Sequence, residues 1–436
     1  MNRVPPRRIG ILAGGQSLPL EIAESLKQRG VSVHIVAIEG EANETLAGFD
    51  TTWVNWGQIG KIISSFKTAG CQQVTIAGSV RRPDLTTIKP DFGFFRAVPT
   101  VLRLIRVGGD DAILRGVIAY FERYGLEIVG VSQVAPELLV GAGRFAGPEH
   151  RHEDLGDMNL GFEVLRALAP YDVGQAVVVA RGNIEAIEGA EGTDRMFDRL
   201  TAYRHKSMRQ RRNVGRGILI KAPKPGQELR VDMPAIGPET VRKAAGADLR
   251  GIAVDAGRVL AIERTKLLEL ADAHRIFVSG VDGGQAEPNA KSAAQLLPEF
   301  SVRQLGRRGL DKNDEADAIK GARLINAIEC FGAGRAVVVS RQHVLVVEAG
   351  EGVMETLGRA ADLRQWGGGF GTRRKGVAVM AVGRELDAEV ISQAAQVGLA
   401  GVAVVLQKFA ASVAPDVVAE ADRQKLFIAG LKSERS

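Results

Sequence analysis

The sequence lacks the features that mark a secreted, membrane-spanning or zinc-binding protein. Its 436 residues include two cysteines, Cys71 and Cys330, which form no Cys-x-x-Cys pair and favour buried thiols in a reducing compartment. No apolar run approaches the roughly 20 residues that span a bilayer, and no signal-type stretch follows the basic N-terminus. We therefore expect a cytoplasmic protein that contacts, at most, a membrane surface.

Aromatic residues are also scarce, at 5% of the chain, and they do not alternate with basic residues as in single-strand binders. The net charge of +6 favours anionic partners, among which phosphorylated metabolites and acidic lipids fit. We expect no nucleic-acid partner, and we leave self-association open. The densest basic run, residues 203–212, suits a membrane surface or a pyrophosphate, or is a solvated face.

The residues that are abundant indicate an α/β protein. Hydrophobic residues make up 45% of the chain, and strand-like and helix-like segments alternate over its first 130 or so residues. We predict strands at 8–13, 31–38, 73–77 and 126–131, and helices ending near Arg29 and at 58–69, 98–106 and 111–124. This pattern predicts a Rossmann-like, parallel-sheet N-terminal domain over residues 1–147.

The rest of the chain contains the same segment twice. AVVVAR at 176–181 matches AVVVSR at 336–341, and Glu188 and Glu191 match Glu348 and Glu351, all at an offset of 160. LRGIAV at 249–254 matches LAGVAV at 399–404 at an offset of 150. Two related α/β domains are therefore expected, over residues 154–282 and 314–436.

The two copies differ in their polar residues. Thr193 and Asp194 become Val353 and Met354, and the segment 221–234 has no counterpart in the sequence of the second copy. Because the apolar pattern survives while the polar groups are lost, we expect the second copy to keep the fold and the first to hold the chemistry.

The segment 221–234 is the first candidate site. Lys221 and Lys224 suit phosphate oxygens, Gln227 suits a substrate contact, and Asp232 suits a metal ion or the activation of water. Its three prolines equally fit a solvated surface loop.

Further candidates lie at turns. The segment 188–194 brings three carboxylates and a hydroxyl that suit Mg²⁺ to a strand-to-helix turn, from Glu188, Glu191, Asp194 and Thr193, although Thr193 and Asp194 equally suit the cap of a helix. The turns Gly14-Gly15 and Gly78-Ser79 follow predicted strands and suit a phosphate or sugar, but they lack the G-x-G-x-x-G spacing. A last group, Gly109, Asp110 and Asp111, precedes or begins a predicted helix, where it either binds a ligand or caps the helix.

Residues from about 8 to 281 resemble the LpxI family of UDP-2,3-diacylglucosamine pyrophosphatases, magnesium-dependent hydrolases of lipid A biosynthesis. The resemblance rests on seven ordered motifs: ILAGG (11–15), AGSVRRPD (77–84), GDDA (109–112), PEH (148–150), EGTD (191–194), KAPKP (221–225) and RVDMP (230–234). At Ser79 the chain departs from the asparagine of the family pattern. The third domain lies outside the two-domain architecture of the family.

The resemblance implies a specific reaction, the cleavage of UDP-2,3-diacylglucosamine to 2,3-diacylglucosamine 1-phosphate and UMP beside the inner membrane. It also implies that Asp232 is the essential residue. We expect Mg²⁺ at Asp232 with Asp194 or Glu191, while Lys221 and Lys224 offset charge on the phosphates. A non-catalytic paralogue that binds a nucleotide-sugar lipid is the alternative. An NAD-dependent oxidoreductase is disfavoured because the dinucleotide fingerprint is missing.

Overall fold

The structure, a computed structural model, describes most of the chain. The described residues are 8–79, 90–94, 110–209, 216–282, 298–363, 374–381, 386–406 and 413–434. They form two compact units. The N-terminal unit comprises Met1–Ala146, Gly226–Glu239 and Asp255–Ala273, and the C-terminal unit comprises Gly147–Pro225, Thr240–Val254 and His274–Ser436.

The strands, in chain order, are β1 (Arg8–Ala13), β2 (Ser32–Ile38), β3 (Thr51–Val54), β4 (Gln73–Ala77), β5 (Glu127–Ile128), β6 (Gly143–Ala146), β7 (Ala176–Ala180), β8 (Asn183–Ile187), β9 (Ile218–Lys221), β10 (Ala235–Ile236), β11 (Gly251–Asp255), β12 (Leu260–Ala261), β13 (Phe277–Val281), β14 (Phe300–Gln304), β15 (Ala336–Ser340), β16 (His343–Val347), β17 (Val377–Ala381), β18 (Gly401–Leu406) and β19 (Phe427–Ser433).

The α-helices are α1 (Leu18–Gln28), α2 (Ile59–Thr68), α3 (Asp110–Glu122), α4 (Val131–Val134), α5 (Asp154–Leu168), α6 (Gly192–Arg209), α7 (Pro238–Gly246), α8 (Arg264–His274), α9 (Lys312–Ile328), α10 (Val353–Leu363), α11 (Ala388–Gln396) and α12 (Pro415–Arg423). Short 3-10 helices lie at Glu44–Gly48, Pro136–Leu138, Ala169–Tyr171 and Glu329–Phe331. Among the helices of the described ranges, none combines the length and the apolar character needed to cross a bilayer.

The N-terminal unit contains the expected parallel sheet, in the order β3-β2-β1-β4-β5. Successive side chains of a strand point to opposite faces, so Ile11 and Ile35 enter one core while Leu12 and Val36 enter the other. The Rossmann-like prediction is confirmed. β3 was not predicted, the strand expected at 126–131 is only two residues long, and the helix expected at 98–106 lies outside the described residues.

Two later segments of the chain pack in the N-terminal unit, although the division by sequence assigned them to the second domain. Met233 and Ala235 from the first segment, and Leu260 and Ile262 from the second, pack in or against the core beside Ile11. β10 and β12 pair with each other in parallel. The cause is apolar burial, which sequence order does not reveal.

The C-terminal unit contains the duplicated fold. Its first sheet includes the strands β13-β11-β9-β7-β8, and its second has the order β14-β19-β18-β17-β15-β16. The registers correspond, because Ala176 of β7 pairs with Lys221 while Ala336 of β15 pairs with Met380. In the first copy β9 then pairs in parallel with β11, and in the second copy β17 pairs in parallel with β18.

The two copies share one hydrophobic core. Residues of α5, such as Phe162, and of α9, such as Ala322, belong to the same buried cluster. The contact is reciprocal: Ala190 N donates to Leu345 O at 3.0 Å, and Gly350 N donates to Glu185 O at 3.3 Å. Each donor and each acceptor is related to its counterpart by the offset of 160 residues, as expected for a two-fold-like interface.

Candidate functional site

The glycine turns after β1 and β4 are held together by main-chain hydrogen bonds. Gly14 N donates to Ala77 O at 2.8 Å, and Gly15 and Ser79 exchange N–H···O bonds of 2.7 and 3.1 Å. Gly78 has a φ of 93°, and a Cβ atom there would lie 2.4 Å from Gly15 O. Only glycine fits this close approach.

The position of these turns is typical of a ligand crevice. β1 and β4 are the strands between which the order of the sheet reverses, and their carboxyl ends carry Gly14, Gly15, Gly78 and Ser79. Of the other group predicted nearby, Gly109 lies outside the described residues. Asp110 and Asp111 begin α3, and their side chains also lie outside the described part of the chain.

Asp232 lies on a turn of the N-terminal unit with its side chain exposed. Its N–H donates to Glu228 O at 3.0 Å, and its carboxylate accepts from Gln227 Nε2 at 2.7 Å. The neighbours Val231 and Met233 pack against the cores on opposite faces of the parallel sheet. The apolar neighbours therefore anchor the turn, and the carboxylate faces solvent with one amide partner already in place.

Arg230 braces this turn, a role that the sequence analysis missed. Its guanidinium binds both carboxylate oxygens of Glu228 at 2.8 Å and lies 3.3 Å from Glu122 at the end of α3. The hydrogen bond from Arg230 is the main cause that lowers the pKa of Glu228. The available signal was the charge pattern Glu-x-Arg-x-Asp at 228–232, which overlaps the family-like motif.

A second polar network lies in the C-terminal unit, where Lys221 ends β9. Lys221 Nζ donates to Thr193 Oγ1 at 3.3 Å, and that hydroxyl donates to Glu188 Oε1 at 2.9 Å. The other carboxylate oxygen of Glu188 accepts the N–H of Gln175 at 2.7 Å. The structure thus brings together Lys221 and Thr193, both predicted, through Glu188, which was not among the chosen site residues.

Burial lowers the pKa of Lys221, while the negative charges of Glu188 and Asp194 act in the opposite direction. Burial of the Lys221 ammonium group therefore has a cost that these two carboxylates partly offset.

The second copy shows what replaces this network. The register makes Met380 the counterpart of Lys221, which corrects the sequence comparison that had left Lys221 without one. Val353 stands for Thr193. Glu348 remains and accepts the main-chain N–H of Arg335 at 3.1 Å and its guanidinium at 2.6 Å. Burial still raises the pKa of Glu348, although Arg335 opposes the shift.

Glu191, predicted as a metal ligand, lies in the contact between the two copies. Its carboxylate binds Arg199 at 3.0 Å and Arg359 at 2.9 Å, and its side chain is 4% exposed. Glu351 binds the same two guanidinium groups. We name these four residues the Glu-Arg quartet. Both arginines bind the same oxygen, Oε1, and two positive charges beside this carboxylate oppose a metal ion, so we leave Glu191 out of any metal site.

Two further predicted residues are exposed or paired. Lys224 Nζ binds Asp172 Oδ1 at 2.6 Å. Asp194 is largely exposed and lies 3.7 Å from Lys243 Nζ.

The donor set for a metal ion is small. Within the part of the chain that the structure describes, no group of three or more His, Cys, Asp or Glu side chains is arranged to hold one. Magnesium commonly uses one or two carboxylates and completes its shell with water and substrate phosphates. The exposed carboxylate of Asp232 has the chemistry for that role.

Comparison with known protein families divides the chain into an N-terminal domain and two copies of a C-terminal domain. The LpxI N-terminal domain matches residues 8–138, and the LpxI C-terminal domain matches twice, at residues 141–279 and 302–429. The chain belongs to the LpxI family. Its two C-terminal copies correspond to one family domain, which confirms the resemblance stated from the motifs.

A curated member of the LpxI family gives a second comparison. UDP-2,3-diacylglucosamine pyrophosphatase LpxI of Caulobacter vibrioides is 37% identical over 276 residues, which are 63% of this chain and 98% of the relative. The relative is named as a pyrophosphatase, so the expected enzyme class, a hydrolase, is confirmed at the level of the family.

Proposed function

We propose that this chain hydrolyses the pyrophosphate bond of UDP-2,3-diacylglucosamine and releases 2,3-diacylglucosamine 1-phosphate and UMP. The observation that carries the proposal is the match to the Caulobacter relative over 98% of that protein. In the same span the chain retains Lys221, Thr193 and Asp232, whereas the second copy has Met380 and Val353 at the first two positions.

Binding begins at the glycine turns after β1 and β4. Main-chain hydrogen bonds between Gly15 and Ser79, and from Gly14 to Ala77, hold the two turns in a fixed arrangement, and we assign the surface of these turns, with Gly78, to the UDP moiety. We assign Asp110, Asp111 and Gly109 to the same substrate by family resemblance, along with Thr193.

Lys221 and Lys224 supply positive charge to the phosphates. Lys221 is positioned by Thr193 and Glu188, and its low hydration strengthens its attraction to negative charge that develops as the pyrophosphate bond breaks. Lys224 binds Asp172 in the absence of substrate, and on substrate binding its ammonium group contacts a phosphate oxygen instead. Gln227 orients the Asp232 carboxylate through its amide.

Mg²⁺ is the proposed cofactor, held by Asp232 together with substrate oxygens and with Asp194 as the second carboxylate. When bound, the ion would neutralise phosphate charge and make a coordinated water more acidic. The carboxylate of Asp232, exposed and already oriented by Gln227, accepts the proton of the attacking water. Because the substrate carries acyl chains, we expect the enzyme to act at the cytoplasmic surface of the inner membrane.

The test is turnover by the full-length protein with UDP-2,3-diacylglucosamine and Mg²⁺, followed as UMP by anion-exchange chromatography. We expect UMP from the wild type and a loss of about 100-fold or more in Asp232→Asn. Asp416→Asn, which changes an exposed aspartate in α12, is the matched control and retains full turnover. An inert wild type that binds the substrate supports the paralogue hypothesis instead, and an active Asp232→Asn refutes the assigned role.

A further inference from the structure

One backbone position of the duplicated domain carries arginine in the first copy and alanine in the second. Arg250 N donates to Gly217 O, and Ala400 N donates to Gly376 O, each at 2.8 Å. Each residue directly precedes a parallel strand, β11 or β18. The two positions are therefore structurally equivalent, and only the side chain differs.

In the first copy the arginine fills a polar site. Arg250 Nη1 binds Asp154 Oδ1 at 2.8 Å and Glu153 Oε1 at 2.6 Å. The Asp154 side chain is 4% exposed, so it depends on this guanidinium for its charge compensation.

In the second copy the aspartate remains without the arginine. Asp314 is the counterpart of Asp154, while Asn313 replaces Glu153 and Ala400 replaces Arg250. A cavity of about 440 Å³ lies here, and its wall includes Asp314, Asn313, Ala400, Arg341 and Lys375. We name it the Ala400 cavity. Its volume is that of a pocket for a small metabolite.

The other acidic and basic groups of the wall face main-chain partners. Asp311 accepts the N–H of Asn313 and Asp314. Asp317 accepts the N–H of Arg341 and Gln342. The guanidinium groups on this wall donate to carbonyl groups near the end of α12, Arg308 to Lys425 at 2.7 Å and Arg374 to Gln424 at 2.5 Å.

Asp314 is the carboxylate that these contacts leave for a ligand. Within the described residues of the wall, Asp314 accepts one long N–H bond, from Asp311 at 3.4 Å. Burial is the main cause that raises the pKa of Asp314, and repulsion from Asp311 and Asp317 adds to the shift, while the Asp311 N–H and the charge of Arg308 oppose it. A cation beside Asp314 would offset both the burial of its charge and the repulsion from the neighbouring aspartates.

The basic residues of the wall do not prevent a cation from binding. Arg341 and Lys375 correspond to Arg181 and Arg216 of the first copy, where the Arg250 guanidinium nevertheless sits on Asp154. Arg216 is paired with Asp248 there at 3.0 Å. The first copy thus shows that basic residues at these two positions leave room for a guanidinium on the aspartate. Arg308 and Arg374 have the uncharged counterparts Pro148 and Gly215, and both donate to carbonyl groups instead.

We propose that the Ala400 cavity binds a small organic cation with a guanidinium or primary ammonium group, which pairs with Asp314 where Arg250 pairs with Asp154 in the first copy. The site is separate from the proposed catalytic residues of the first copy. It gives the second copy a ligand-binding role.

The experiment titrates agmatine into the full-length protein by isothermal calorimetry at constant ionic strength, with inorganic phosphate as the anionic probe. We expect agmatine to bind with one site per chain, and its affinity to fall about ten- to a hundredfold in Asp314→Asn. Ala400→Arg, which restores the first copy's own guanidinium, should abolish binding. Absence of agmatine binding, binding of phosphate alone, or unchanged affinity in Asp314→Asn overturns the proposal.

Arg250→Ala provides the matched control in the first copy. This variant removes the guanidinium from Asp154 and Glu153, so agmatine should occupy a second site and the stoichiometry should rise from one to two. Circular dichroism and melting temperature verify that each variant is folded. A folded Arg250→Ala that keeps a stoichiometry of one would contradict the equivalence on which the proposal rests.

Discussion

Single residues separate the polar network of the first copy from its replacement in the second. Glu188 and Glu348 both accept the main-chain N–H of the residue just before the first strand of their copy, Gln175 or Arg335, so this carboxylate has a structural role in each. What changes is the cation: Lys221 reaches Glu188 through Thr193, whereas Arg335 binds Glu348 directly. The retained glutamate belongs to the fold, and the lysine belongs to the proposed site.

Lys221→Met tests this assignment by giving the first copy the side chain of Met380. We expect kcat/KM to fall by about 100-fold or more because one charged donor to the phosphates is lost. The control is Lys320→Met in the second copy, where burial also lowers the pKa of the lysine. An equal loss of turnover in both variants would show a general effect of removing a buried ammonium group.

The same substitution has a pH-dependent effect on stability. Because the pKa of Lys221 is lowered in the folded state, the unfolded chain binds the proton more tightly, and the wild type gains stability as pH rises toward 10.5. The stability of Lys221→Met relative to the wild type should therefore be highest at neutral pH and should fall as the pH approaches about 10. Urea denaturation at the two pH values measures it, and a difference that grows with pH is the contrary outcome.

At the scale of elements, the turns after β1 and β4 are joined by main-chain hydrogen bonds and depend on each other. Gly78→Ala forces a left-handed backbone on alanine and drives its Cβ into Gly15 O, so the pair of turns must separate. We expect a loss of about 1–3 kcal/mol in the free energy of unfolding and weaker UDP binding.

Gly70→Ala is the matched control for that change. Gly70 has a similar φ of 74°, but no atom lies within 4 Å of the added Cβ. It should show the smaller, purely conformational loss and normal UDP binding. Equal effects of the two variants on UDP binding would remove the special role of the turn.

At the scale of the whole molecule, the second copy completes the core of the first. The shared cluster and the Glu-Arg quartet lie between them, and burial together with repulsion from Arg199 lowers the pKa of Arg359. Glu191→Gln and Arg359→Gln should each cost about 3–5 kcal/mol, because each leaves buried charge unpaired. The double variant should cost less than the sum of the two. Additive losses in urea unfolding would contradict direct coupling.

Truncation tests the same contact differently. Residues 1–282 alone would expose the apolar face that α9 and its neighbours cover. Since the contact between the copies is two-fold-like, we expect the truncated chain to pair with itself through that face and to retain turnover. Light scattering after gel filtration measures the mass. A stable monomer would show that the face needs no partner.

Much of this architecture was predictable from the chain itself. The run of residues 8–13 is buried on both faces of a sheet, and its continuous apolar character reports that burial directly. β3 escaped because a four-residue strand carries too little pattern. The motif carrying Asp232 was recognisable, but the ion pair between its first residue, Arg230, and Glu228 was not, because a bidentate ion pair depends on a turn that local composition does not specify.

The sequence by itself determined the parallel sheet, the duplication and the loss of Thr193 from the second copy, because apolar periodicity and repeated order are properties of the chain. Only the tertiary structure decided the partners of the charges. It placed Met380 at the position equivalent to Lys221, bound Glu191 to two arginines, and opened the Ala400 cavity beside Asp314. The physical reason is that a buried charge is stabilised by whichever group lies within a few ångströms, and folding brings such groups together from positions up to 168 residues apart.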